Sequence, residues 1–253
     1  DPATNEDDVT HRIGIVKFSG NESDQIGNDT YRSDGNTYNY SQVVQDLTSV
    51  TGNVQSLKNT VNELAAAGST RTDFGLNQAQ RVLDGDRQHG LGGAREEAKQ
   101  VVVVFTDGEP STFSNWSGGV AANAVNLAKD LKDDKVTVYT IGMFEDADPS
   151  DTDGRFNKYM NGVSSNYPNA EVTNWRGDRT QDWDDCKLGG RVTEGNYYFA
   201  ADDAEELENA FSTIADNVST SKVAAGANTV LSDTLSEFFT FPEGLTGSSD
   251  AVT

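Results

Sequence analysis

The sequence has little of the chemistry on which disulfide-stabilised folds and many enzymes depend. Its single cysteine, Cys186, excludes an internal disulfide and a cysteine-based metal cluster. This is compatible with the cytosol and equally with surface proteins that do without disulfides. The only two histidines, His11 and His89, have no serine or cysteine nucleophile context around them. The sequence therefore does not support a nucleophilic hydrolase.

Basic residues and long apolar runs are scarce as well. No stretch approaches the roughly 18 apolar residues of a membrane span, and the first residues, DPATNEDD, do not resemble a signal peptide. The 41 acidic and 19 basic residues give a formal net charge of −22. Because this charge repels phosphate groups, we expect neither nucleic-acid binding nor direct membrane insertion. A cation, or a partner with a basic surface, is easier to accommodate.

The chain is organised around residues 100–110, QVVVVFTDGEP. Four valines and a phenylalanine without polar alternation predict a strand buried on both faces of a parallel sheet. Open α/β sheets gather their ligands at the carboxyl ends of such strands, so Asp107 is the first functional candidate. Asp-Gly is also common turn chemistry, and a plain strand-terminating turn is the alternative.

The other periodicities alternate between strands and helices. Apolar and β-branched runs predict strands at residues 11–20, 135–143 and 197–200. Apolar residues at helical spacing predict helices at residues 54–64, 73–83, 120–131, 155–163 and 203–218, the second of them capped by Asp73. This order predicts an α/β fold with a doubly wound, mostly parallel sheet flanked by helices.

The segments between these elements are polar. Residues 21–40 are typical of a surface insertion with a short edge strand near 37–40, and residues 166–194 of a long loop. From residue 219 small and polar residues precede an apolar segment at 238–241. We therefore expect one domain at residues 1–218, followed at 219–253 by a linker and the opening segment of a β-rich domain.

Four blocks in this order resemble the von Willebrand factor type A domain. They are the strand IGIVKFSG, the loop GSTRTD before a helix, the strand end FTDGEP, and the strand VTVYTIGM. The resemblance covers roughly residues 9–218. It is specifically to the version found in large cell-surface and pilus-type adhesins of Gram-positive bacteria, in which the loop after the fifth strand is long and acidic.

The resemblance also implies a metal-ion-dependent adhesion site at the carboxyl end of the sheet. In the family, its ligands are an Asp-x-Ser-x-Ser loop after the first strand, a threonine in a second loop, and an aspartate after the fourth strand. By position the threonine is Thr70, with Thr72 as a less favoured substitute, and the aspartate is Asp107. Hydroxyls and a single carboxylate are hard oxygen ligands suited to Mg²⁺, Mn²⁺ or Ca²⁺.

One part of the family pattern is missing. No Asp-x-Ser-x-Ser loop precedes IGIVKFSG, and the loose echo at residues 148–152 follows the fifth strand. The family's first strand is central, so a chain that begins at Asp1 leaves an unfilled position between the strands at 11–20 and 100–106. We expect a sequence truncated at both ends, and a bound Mg²⁺, Mn²⁺ or Ca²⁺ provided that the missing loop is present. The alternative is a degenerate site that holds no metal.

Further signals lie in the loops. Phe113 and Trp116 are candidate ligand contacts in the loop after Asp107. The tripeptide at 176–178, Arg-Gly-Asp, spells an integrin-recognition sequence but is short enough to arise by chance. The acidic loop at 146–154 lacks the ligand order of an EF-hand, which favours a solvated surface loop over a Ca²⁺ site.

Two functions remain open from the sequence. The first is an extracellular adhesion module, at a cell surface or cell wall, that binds a host or matrix protein or glycan through a metal ion and an acidic residue of the ligand. The second is a metal-free structural domain of a surface stalk or pilus. A metal-assisted hydrolase using Asp107 and the acidic loop is disfavoured because no convincing base is present.

Overall fold

The computed structural model describes residues 11–112, 115–173 and 183–219. This part contains nine strands, β1 (Arg12–Lys17), β2 (Thr30–Ser33), β3 (Asn36–Asn39), β4 (Gln42–Ser49), β5 (Val101–Thr106), β6 (Thr137–Gly142), β7 (Glu171–Val172), β8 (Cys186–Lys187) and β9 (Tyr198–Ala200). Its five helices are α1 (Val54–Asn62), α2 (Thr72–Asp84), α3 (Gly118–Asp133), α4 (Arg155–Val163) and α5 (Ala204–Ser219). The linker and β-rich segment expected at 219–253 lies outside the described residues, except for Ser219, which is the last residue of α5.

The central sheet is parallel and has the order β5-β6-β9. Val101 faces Thr137 and Thr106 faces Gly142, so β5 and β6 pair in register along their whole length. Helix α3 connects β5 to β6, and α5 follows β9. The predicted α/β fold with a parallel sheet flanked by helices is confirmed.

Both faces of strand β6 are covered, whereas one face of β5 is partly exposed at Val103 and Phe105, so the prediction that β5 is buried on both faces is wrong. Val138 of β6 packs into a core with residues of α2, α3 and α4. Its neighbours Tyr139 and Ile141 pack into a second core with Ala210 and Ile214 of α5. Successive side chains of a strand point to opposite faces, so the alternation along β6 separates the two helical layers.

Strand β4 was not predicted and is a correction. It pairs antiparallel with β1, Arg12 facing Ser49 and Lys17 facing Gln42. Its sequence, QVVQDLTS, carries polar residues among the apolar ones and gives no clear period. Pairing with β1 and burial of Val43 against α2 decide its structure.

The insertion at 21–40 is more ordered than expected. Instead of one edge strand, β2 and β3 form an antiparallel hairpin in which Tyr31 faces Tyr38. The turn is Asp34-Gly35, with φ of 51° and 83°. Two consecutive positive φ angles match the right-handed twist of a hairpin, and Asp-Gly is a preferred dipeptide for them.

Helix α2 begins one residue earlier than predicted. Thr72 is its first residue and Arg71 its N-cap, so Asp73 does not cap it. Asp73 lies in the first turn instead, where it is buried and forms a two-point ion pair with Arg71 at 2.8 Å. A carboxylate in the first turn still interacts favourably with the helix dipole.

Strands β1 and β5 each have one edge without a partner strand among the described residues. In the part of the chain that the structure describes, β1 pairs only with β4, and β5 pairs only with β6. Ile13, Val103 and Phe105, which lie on these strands, are 47, 36 and 39% exposed. None of the described helices is long and apolar enough to cross a membrane.

Candidate metal site

Asp107 follows β5 directly, at the carboxyl end of the parallel sheet. The chain turns there because the hydroxyl of Thr106 accepts a hydrogen bond from the Gly108 amide at 3.2 Å and donates to the Gly108 carbonyl at 3.0 Å. The Asp107 side chain is exposed. Within the described ranges it forms no hydrogen bond or ion pair, so both carboxylate oxygens are available to a ligand.

Thr70 lies beside this turn. Its hydroxyl oxygen is 3.5 Å from the position that a Cβ atom would take at Gly108. Ser111 joins the two loops, because its hydroxyl accepts from the Thr70 amide at 3.2 Å and its amide donates to the Thr70 carbonyl at 3.0 Å. The structure therefore brings the loops of Thr70 and Asp107 together, although they are distant in sequence.

A third loop, which follows β1, contacts the loop of Thr70. The Ser69 hydroxyl donates to the Ser19 carbonyl at 3.0 Å, and the Ser19 hydroxyl donates to the Ala67 carbonyl at 2.6 Å. Ser19 and Ser111 were not predicted. Their signal in the sequence is weak, since each is a single hydroxyl residue in a polar loop. In the structure they connect the loops by hydrogen bonds.

Thr72 is not available as a ligand. It is buried, and its hydroxyl accepts a hydrogen bond from the Tyr159 hydroxyl at 2.6 Å. Burial raises the pKa of Tyr159, so this phenol stays neutral and remains a donor. The Thr70 hydroxyl, in contrast, forms no hydrogen bond with another described residue. This supports Thr70 over Thr72.

The donor set fits a hard divalent cation. The described residues contain no group of three or more His, Cys, Asp or Glu side chains that could hold a metal ion. Thr70 and Asp107 instead offer a hydroxyl and a single carboxylate, both of them oxygen ligands that Mg²⁺ and Mn²⁺ accept. They are two of the roughly six positions such an ion fills.

Comparison with known families decides what kind of domain this is. Residues 4–176 match the von Willebrand factor type A domain. The chain belongs to this family. A search of solved structures shows similarity to the manganese-loaded TRAP protein of Plasmodium vivax, with 21% identity and a TM-score of 0.40 over 69% of this chain and 52% of that one. The chain thus spans about half the length of that protein. No curated protein matches it significantly.

Trp116 of this type A domain does not present a contact surface. It is 7% exposed. Its ring packs edge-on against Tyr159 at 6.1 Å and against Trp183 at 5.3 Å. The expectation of a ligand contact at Trp116 is wrong because a tryptophan in a polar loop can bury a large area by folding back onto the core. Phe113 and the tripeptide at 176–178 lie outside the described residues.

The acidic loop at 146–154 closes on itself. The Asp148 carboxylate accepts from the hydroxyl and amide of Ser150, and the Asp151 carboxylate from the amides of Asp153 and Gly154. These hydrogen bonds lower the pKa of both carboxyl groups. Carboxylates committed to turns support a surface loop. The loop lines an open cleft of about 950 Å³ next to Glu109.

Proposed function

We propose that this type A domain is an extracellular adhesion module that binds a protein ligand through a divalent cation held by Thr70 and Asp107. The observation that carries the proposal is the meeting of two loops through Ser111, because within the described ranges the side-chain oxygens of Thr70 and Asp107 form no hydrogen bond with another residue. Thr70 Oγ1 lies 3.5 Å from the Cβ position of Gly108, the residue after Asp107. Mg²⁺ is the expected ion, with Mn²⁺ and Ca²⁺ as substitutes.

The charges of the two ligands suit a bridging role. Asp107 contributes one negative charge and Thr70 none, so the bound ion would keep most of its charge and accept a carboxylate from a partner. The net charge of −22 repels an acidic partner at long range. Asp107 and Thr70 would reverse the field locally by holding the cation, which makes capture of such a partner dependent on the metal.

The class of ligand and the location are further parts of the proposal. We propose a host or matrix protein as the ligand and a cell surface or cell wall as the location, in a Gram-positive pilus-type adhesin. A glycan is the second ligand class. Because the loop at 111–119 borders Asp107 while Trp116 is buried, contacts from this loop would come from its other side chains.

Metal binding tests the proposal directly. Titration calorimetry with Mn²⁺ is expected to show one site, and the variants Asp107→Ala and Thr70→Val are each expected to weaken it about 100-fold or more, since direct ligands matter at least as much as their supporting residues. Asp148→Ala is the matched control because this carboxylate serves its own turn. Unchanged binding in Asp107→Ala contradicts the assignment.

Adhesion tests the function. Beads that carry the protein are expected to attach to immobilised extracellular matrix proteins in Mg²⁺ and to detach in EDTA. Moderate salt should favour attachment to an acidic partner, because screening weakens long-range repulsion more than a contact at the ion. Attachment that survives EDTA would exclude a metal bridge.

The alternative is a metal-free structural domain of a surface stalk or pilus. The observation that favours it is the small number of ligands, since Thr70 and Asp107 supply only two of about six positions. Under this alternative the calorimetric titration shows no site, and Asp107→Ala leaves both adhesion and stability unchanged.

A further inference from the structure

One face of α4 holds both loops of the candidate metal site. Arg155 and Tyr159 lie four residues apart on this helix, and residues at this spacing are neighbours on one helical face. Trp116 confirms the shared face, because its ring lies 4.9 Å from the Arg155 guanidinium carbon and 6.1 Å from the Tyr159 ring. Each of the two side chains reaches a different loop.

Arg155 reaches the loop of Asp107. Its Nη2 donates to both carboxylate oxygens of Glu109 at 3.1 Å, and its Nε donates to one of them at 3.2 Å. Glu109 is two residues beyond Asp107. The guanidinium also lies over the Trp116 ring, which limits its freedom to follow a displaced Glu109. The pair therefore ties the end of the Asp107 turn to the start of α4.

Tyr159 reaches the loop of Thr70. Its hydroxyl donates to the Thr72 hydroxyl at 2.6 Å, two residues beyond Thr70. The Tyr159 side chain is fully buried and packs against Trp116 and Trp183. Such a side chain has one accessible position, so it anchors the start of α2 at a set distance from α4.

Ser111 closes these links into a ring. It connects the two loops directly through its hydrogen bonds with Thr70. The ring runs from Arg155 through Glu109 and Ser111 to Thr70, and returns through Thr72 to Tyr159. In a closed ring of contacts, loosening one link loosens the position of both loops.

We propose that Arg155 and Tyr159 are positioning residues that set the spacing between Thr70 and Asp107, and that α4 thereby determines which cation the site prefers. The preference for a cation rests on the proposed function, but the positioning of the loops does not. Mg²⁺ demands shorter and more regular ligand distances than Ca²⁺, so a looser pair of loops shifts the preference toward Ca²⁺.

Hydrogen exchange of the metal-free protein tests the positioning. Arg155→Met and Glu109→Gln are each expected to raise amide exchange about tenfold in peptides covering 69–71 and 107–111, because each removes a charge-assisted link of the ring. The double variant should exchange no faster than either single variant, since both break the same link. Tyr159→Phe removes the hydrogen bond to the Thr72 hydroxyl, and it should also raise exchange in both segments.

The control variant is Lys129→Met, which breaks an ion pair of 2.6 Å with Asp133 on α3. Its exchange in both segments should equal that of the wild type. If Arg155→Met speeds exchange at 107–111 but leaves 69–71 unchanged, the ring does not couple the loops and the proposal is overturned. Equal acceleration throughout the domain would also overturn it, because it indicates general destabilisation.

Calorimetry with Mg²⁺ and Ca²⁺ tests the effect of α4 on cation preference. The ratio of Ca²⁺ to Mg²⁺ affinity is expected to rise about tenfold in Arg155→Met, because loosened loops accept longer ligand distances. An unchanged ratio overturns the effect on cation preference. If the wild type binds neither ion, the proposed function fails and the cation preference fails with it, while hydrogen exchange still decides the positioning of the loops.

Discussion

Replacing Lys132 by methionine is expected to lower the free energy of unfolding by about 2–4 kcal/mol at pH 7. Lys132 lies on α3 and is 8% exposed. Its ammonium group donates to the carbonyls of Gly162, Ser164 and Tyr167 at 2.8, 3.2 and 3.0 Å. Methionine fills a similar volume but removes the charge-assisted donor from all three carbonyls. Those of Ser164 and Tyr167 keep the backbone amides of Tyr167 and Ala170 as donors. The Gly162 carbonyl loses its side-chain donor, and a buried unpaired carbonyl costs roughly 1–3 kcal/mol.

Urea unfolding measures this effect, and Lys129→Met is its control. Lys129 is on the same helix, loses the same charge, and pairs with an exposed Asp133. Pairs of this kind contribute at most about 1 kcal/mol. Similar unfolding midpoints for Lys132→Met and the wild type would mean that water or another donor replaces the Lys132 ammonium group at the Gly162 carbonyl.

The cost of Lys132→Met is also expected to depend on pH. Burial lowers the pKa of Lys132 to about 7, against the opposing electrostatic effects of Cys186 and Asp133. In the unfolded chain the pKa is about 10.4, so between pH 7 and 10 the unfolded chain binds more protons than the folded one. Stability due to this residue therefore rises with pH across that window. The difference between wild type and variant should be larger at pH 9 than at pH 7, and a smaller difference would contradict the lowered pKa.

A chain extended at its amino end by an apolar strand and an amphipathic crossover helix is expected to have a urea midpoint higher by about 1 M or more. We propose that the strand would lie between β1 and β5, each of which has one edge that is unpaired within the described ranges. It would satisfy backbone groups on both edges and cover Ile13, Val103 and Phe105, which are now 36% or more exposed. Full burial of each such side chain contributes about 1.5–3 kcal/mol.

An extension of equal length made of Gly and Ser is the control, because it adds chain without an apolar face. Val103→Asp gives a second comparison. It should cost little in the present chain, where Val103 is 36% exposed, and several times more in the extended one. Equal midpoints for the apolar and the Gly-Ser extensions would show that no strand enters this position.

The strand and helix positions were largely predictable, and the exceptions have physical reasons. The valine run of β5 and the helical spacing in α3 are local patterns, so the sequence shows them directly. Strand β4 has no clear pattern, and its structure depends on β1, about thirty residues earlier in the chain. The hairpin turn at Asp34-Gly35 carries a strong local signal, but the polar residues around it conceal the strands.

The candidate ligands could be named from the sequence, where they stay a prediction, but the residues that support their loops could not. Asp107 follows from the end of β5, and Thr70 from the family resemblance. Trp116 was placed wrongly because a loop position says nothing about the direction of a side chain, and its burial depends on Tyr159 and Trp183. The choice of Thr70 over Thr72 depends on a hydrogen bond from Tyr159, which is 87 residues away from Thr72.

By itself, the sequence determined the class of fold, the acidic surface and the carboxylate at the end of the central strand. These properties arise from periodicity, composition and residue type, which are local. Only the tertiary structure decided which threonine is available, that Ser111 joins the two candidate loops, and that Arg155 and Tyr159 hold them from one face of α4. Those properties depend on contacts between residues far apart in the chain, and such contacts exist only after the helices have packed against the sheet.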